Sequence, residues 1–137
     1  MCAEVREWYG GRLVTLASQV AQYPGRIDLF ETNPDSRWRF DRRLAVDAMQ
    51  QQAGCRYGWG HIFATSLLYV PLARLLFRPD FNATDTENAW PPYCSEAVSH
   101  ALAVGGVDPI PLLADRWTAP SDLARSLFLR YQLTLVP

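Results

Sequence analysis

The sequence predicts an α+β domain: a small antiparallel sheet or partial barrel packed against a helical layer, with a cysteine at the N-terminus of one helix. Three observations predict it. Strand-like segments occupy the first thirty residues, apolar residues recur at helical spacing through the middle, and a stretch bounded by prolines and glycines begins on Cys94. At 137 residues the chain fits one domain spanning 1–137.

The elements follow in order. Val5, Trp8 and Tyr9 run into Gly10-Gly11, and Leu13, Val14 and Leu16 follow, which predicts a hairpin with its turn at the glycines. Tyr23-Pro24-Gly25 marks a turn before the strand-like Ile27-Asp28-Leu29-Phe30. Phe40, Leu44, Ala45, Ala48 and Met49 share a helical face, and Gly54 is a natural stop. Cys55 to Trp59 reads as an aromatic, glycine-containing turn, then an apolar helix from about Ile62 to Leu76. Arg78 to Pro92 reads as a long polar loop, a feature more often functional than idle in a small domain. Ala97, Val98, Ala101 and Leu102 form one stripe of a helix that starts after Pro91-Pro92-Tyr93 and closes at Gly105-Gly106. Pro120-Ser121-Asp122 opens a short helical turn with Ser121 as its cap, and Leu127 to Val136 supplies a closing strand.

Composition narrows the function classes. Hydrophobic residues make up 49% and charged residues 20%, enough apolar material for a core. Thirteen basic side chains, all arginine, face fourteen acidic ones, so no basic excess points to nucleic acid. Cys2, Cys55 and Cys94 are distant and odd in number, and His61 and His100 are the only histidines. Neither a disulfide framework nor a metal site is expected, and no cofactor. The residues after Met1 have no apolar h-region, so no secretory signal is read and a cytoplasmic setting is the default. Ile62 to Phe77 is shorter than a typical spanning helix and includes Pro71 and Arg74, so it reads as a buried or surface-lying helix that leaves contact with a membrane surface open.

Cys94 is the residue most suggestive of chemistry. Backbone N–H groups and the positive dipole end of a helix favour thiolate over thiol, and the same groups can hold an oxyanion. A small buried cysteine under a helix fits the spacing as well. A thiol nucleophile needs an imidazole within reach. His100, six residues on in the same helix, is about 120° around and about 9 Å along the axis and cannot serve. His61 could arrive only through tertiary folding, and a helix-starting or packing role accounts for it. Glu96 reads as pointing away from Cys94 and as complementing the helix dipole. Tyr57 and Trp59 read as core aromatics that could alternatively line a cleft. Cys2 reads as an exposed thiol and Cys55 as a packed one. Asp80, Asp85 and Glu87 read as solvated loop carboxylates or the rim of a groove, and the sequon at Asn82 reads as unused.

Tyr93-Cys94-Ser95-Glu96-Ala97-Val98, followed by Gly105-Gly106-Val107-Asp108 and Pro120-Ser121-Asp122-Leu123-Ala124, resembles the circularly permuted papain-like hydrolases. These are the NlpC-like group typified by YiiX and related to the lecithin:retinol acyltransferases. Gly11 to Leu16, Tyr23 to Asp28 and Gly54 to Tyr57 are similar to that family's strand, strand and helix-exit segments, so the resemblance covers most of the chain from Glu4 onward. It implies a bacterial or phage thiol hydrolase, amidase or acyltransferase acting on amide or ester bonds of cell-wall peptides or lipid-like substrates. It implies Cys94 as nucleophile and Glu4 as the acid orienting a histidine. In the family that histidine lies on a strand preceding the one with the acid, yet here no histidine precedes His61. The resemblance therefore implies either an N-terminally incomplete chain or a variant whose base is another residue, with an unpaired sheet edge where that strand would lie. The alternative is a catalytically silent interaction module that retains the fold. A redox-sensing thiol protein would instead need Cys55 close to Cys94.

Overall fold

The computed structural model describes residues 1–35, 37–67, 70 and 91–136. The long loop, the distal half of the apolar helix with Pro71 and Arg74, the loop carboxylates and the Asn82 sequon lie outside the described residues. The fold is α+β. Its described elements are β1 (Cys2–Arg6), β2 (Gly10–Val14), α1 (Leu16–Gln22), β3 (Ile27–Thr32), α2 (Arg42–Gln51), α3 (Trp59–Leu67), α4 (Cys94–Val104), a 3-10 turn (Asp115–Trp117), α5 (Pro120–Arg125) and β4 (Leu129–Leu135). The strands make two separate two-stranded antiparallel sheets against the helices, the hairpin of β1 with β2 and the pairing of the sequence-distant β3 and β4.

Glycine shapes the first hairpin differently from the sequence reading. The turn falls on Glu7 to Tyr9, while Gly10 and Gly11 lie within β2. They are glycines because the chain leaving α2 docks on this strand: Gly11 N–H donates to Cys55 O at 2.9 Å, and Gly54 N–H to Gly11 O at 2.7 Å. A Cβ on Gly11 would lie 1.9 Å from Gln52 O. Leu16, read as strand, starts α1, because Thr15 accepts from Ser18 N–H and caps a helix there. Phe40 precedes α2 rather than opening it, since Asp41 accepts from the N–H groups of Arg43 and Leu44 as N-cap. α3 begins at Trp59, ahead of the expected start. In α5, Ser121 is not the cap: Pro120 takes the first helical position, Ala119 is the N-cap, and Asp122 accepts from Ala119 N–H at 2.9 Å.

Two apolar clusters hold the domain. Val5, Tyr57, Tyr93 and Ala97 pack with Met49, Cys55, Ile62 and Cys94 around the start of α4. Leu102, Val107 and Phe128 pack with Trp38, Phe40 and Leu129 around its end. α4 is thus the axis to which both sheets attach.

Candidate active site

Cys94 occupies the first turn of α4, half-buried, as expected from the prolines before it and the glycines after it. Three neighbours clamp that turn. Tyr93, 2% exposed, donates its hydroxyl to Thr118 O at 2.9 Å and Arg116 O at 3.1 Å. Ser95 Oγ donates to Thr118 O at 2.7 Å, so the 3-10 turn is fastened to the helix start. On the other side Gly58 N–H donates to Pro92 O at 3.0 Å, and a Cβ on Gly58 would lie 2.4 Å from Pro91 O. Only glycine permits that approach, and the approach delivers Tyr57 to Cys94.

Tyr57 and Cys94 pack in the same apolar cluster. Burial, then the neighbouring charges of Cys94 and Glu7, push the Tyr57 pKa well above that of an ordinary phenol. Tyr57 therefore stays protonated, and a donor, across the neutral range. Tyr57 belongs to the core, as read, and also borders a cleft: Trp8, Tyr9, Arg56, Tyr57 and Trp59 line a groove of about 400 Å³. Ring centroids of Tyr57 and Trp59, and of Trp59 and Trp8, are 5.1 Å apart.

The sequence reading missed one pair. Glu96, read as complementing the helix dipole, is 5% exposed, and its carboxylate folds back over the helix start. Oε2 accepts from Tyr93 N–H at 3.2 Å and lies 3.1 Å from His61 Nδ1, with Oε1 3.2 Å from the same nitrogen. The imidazole is thereby anchored at the mouth of the helix that begins with Cys94. Burial raises the Glu96 pKa above the usual carboxylate value, against the opposing pull of His61. An acid three residues after the N-cap is a capping-box signal, and it was visible in Tyr93-Cys94-Ser95-Glu96.

The other sequence candidates lie elsewhere. Glu4 is paired with Arg12 across the hairpin, Nε to Oε1 at 2.5 Å. Successive strand side chains alternate between faces. Glu4 is thus on the face of β1 opposite Val5, and Val5 is the residue that packs on Tyr57 and Tyr93. The carboxylate in contact with His61 is Glu96, while Glu4 contacts Arg12. His100 Nδ1 lies 3.6 Å from Asp115 Oδ2, farther along α4. Cys2 is half-buried within β1 rather than exposed, and Cys55 packs on the same cluster as Cys94, all three as free thiols. Among the described residues, no group of three or more His, Cys, Asp or Glu gathers as metal ligands. No described helix is long and apolar enough to cross a membrane.

No family model, curated protein or solved structure matches the chain.

Proposed function

We propose that the domain is a thiol hydrolase or acyltransferase in which Cys94 attacks an amide or ester carbonyl, with a peptide or lipid-like substrate. The observation that carries the reading is the gathering of a thiol, a packed phenol and a carboxylate-anchored imidazole around the first turn of α4. The resemblance of the Tyr-Cys-Ser-Glu helix start to the permuted papain-like hydrolases supports it.

Each group has a role its position favours. With Nδ1–H donating to Glu96, the imidazole of His61 keeps Nε2 as proton acceptor. Cys94 Sγ bonds to the carbonyl carbon while its proton passes to Nε2, and the carbonyl π-pair moves to oxygen. The Cys94 N–H and the Tyr57 hydroxyl are the donors for that oxyanion. Collapse expels the amine or alcohol, which takes the proton from Nε2, and leaves a thioester. Water, deprotonated by Nε2, cleaves the thioester and restores the thiol. Glu96 positions His61 and does not touch substrate.

The silent-module reading draws on the apolar cluster of Val5, Tyr57, Tyr93 and Ala97, which gives Cys94 a structural packing role. One experiment separates the two. Purified protein is mixed with p-nitrophenyl acetate, and nitrophenolate release is followed together with intact mass. The enzyme reading predicts a stoichiometric burst, an acetyl adduct on Cys94, and none with Cys94→Ser. His61→Ala lowers turnover about a hundred- to ten-thousand-fold, and Tyr57→Phe about a hundredfold. Acetylation spread over Cys2, Cys55 and Cys94 with no turnover establishes the silent module instead.

A further inference from the structure

The two small sheets leave a slot between β1 and β3, and its walls are more specific than an apolar surface. Gly11 directs both its N–H and its C=O towards residues 54–55, away from β1. Gly11 stands opposite Val5, so Val5 and Gly11 are a non-hydrogen-bonded pair and the Val5 N–H and C=O point away from β2. Alternation extends this outward direction to Ala3. In the β3–β4 sheet Asn33 N–H donates to Phe128 O at 2.7 Å, so Thr32 and, two residues back, Phe30 direct their peptide groups away from β4. Among the described residues neither β1 nor β3 has a second strand neighbour.

Between these strands lies a cavity of about 560 Å³. Met1 and Ala3 of the first sheet and Phe30 and Thr32 of the second form its sides, and Met49 and Ala101 contribute to its helical floor. Two charged residues line it. Glu31 is neutralised by Arg130 at 2.5 Å, whereas Arg42, exposed at the start of α2, has no ion-pair partner among the described residues.

We propose that this slot binds an extended polypeptide strand supplied by another protein, apolar at alternate positions and acidic at an end. Its peptide groups pair with Ala3 on one side and Phe30 and Thr32 on the other. Its inward side chains fill the cavity over Met49 and Ala101, and its carboxylate meets Arg42. Main-chain pairing on two edges joins the two small sheets into one of five strands, which is strand addition with the affinity in the backbone and the selectivity in alternate side chains. The inference is independent of the chemistry at Cys94.

The probe is a fluorescein-labelled eight-residue peptide of alternating Val and Thr between terminal Glu residues, read by polarisation with the intact chain. The result expected is saturable 1:1 binding, with slowed amide exchange at Ala3, Phe30 and Thr32. N-methylation of alternate peptide amides, which removes donors but keeps every side chain, weakens binding at least about tenfold. Arg42→Glu, an acidic residue that suits a helix start and keeps the fold, weakens it several-fold. Equal affinity of the methylated peptide would overturn strand pairing. So would absence of binding, or protection of the same amides by self-association of the chain without peptide.

Discussion

The first turn of α4 and the two-stranded β3–β4 sheet are built on opposite plans. Around Cys94 the chain buries polar side chains and satisfies them: Tyr93 and Ser95 reach the carbonyls of the 3-10 turn, and Glu96 takes a backbone N–H and an imidazole. In the sheet, Leu29, Tyr131 and Leu133 are each more than two-fifths exposed. Cohesion there comes from cross-strand pairs: Phe30 with Tyr131 at 5.8 Å, Arg130 with Glu31, Thr134 with Asp28. Buried polar groups held from several sides keep their positions, and fixed positions are what a reacting constellation requires. The β3–β4 sheet is anchored to the core near Phe128 and Leu129, and the rest of it is held by its cross-strand pairs. The difference teaches where rigidity has been concentrated.

Removing a clamp should have the largest effect. Tyr93→Ala deletes a buried ring and orphans two carbonyl contacts, and is expected to cost about 3–5 kcal/mol in urea unfolding. Next comes His61→Ala, which strands the buried Glu96 carboxylate at a cost of about 1.5–3 kcal/mol at neutral pH. Its pH dependence has a definite sign. The folded-state pKa of Glu96 is raised, so this group's contribution is greatest in acid and is lost as pH rises through that value. The urea midpoint of His61→Ala should therefore fall more steeply than that of the parent as pH increases from about 4.5. Tyr57 obeys the same sign at alkaline pH. Its folded pKa lies above the unfolded phenol, so stability is lost above pH ~10, and Tyr57→Phe should flatten that alkaline limb. The smallest effect belongs to the β3–β4 sheet: Leu133→Thr should change stability by no more than about 0.5 kcal/mol, and a larger loss would show that this region is packed more tightly than its exposure implies.

How much of this the sequence disclosed depended on whether the cause was local. The bounds of α4 were legible because Pro91-Pro92 and Gly105-Gly106 punctuate it directly. β3 and β4 were legible from their apolar and aromatic content. Gly10-Gly11 was misread as a turn because the requirement for glycine comes from the backbone of residues 52–55, some forty positions away. Ser121 was taken for a cap, whereas Pro at the first helical position and Asp at the third already placed the cap at Ala119. The candidate site divides in the same way. Cys94 at a helix start needed only local signals, but His61 and Glu96 are 35 residues apart, and their pairing exists only once α3 has docked on α4. Glu4 was chosen by order along the chain, and strand alternation with its Arg12 partner directs it to the other face.

The central claim is that the surroundings of Cys94 make its sulfur the reactive one of three. Iodoacetamide labelling of the native protein, with site occupancies of Cys2, Cys55 and Cys94 followed by peptide mass spectrometry over time, measures this within a single chain. The account predicts that Cys94 is alkylated fastest and that His61→Ala slows it selectively. Cys94 labelling more slowly than Cys2 and Cys55, with no response to His61→Ala, would contradict it.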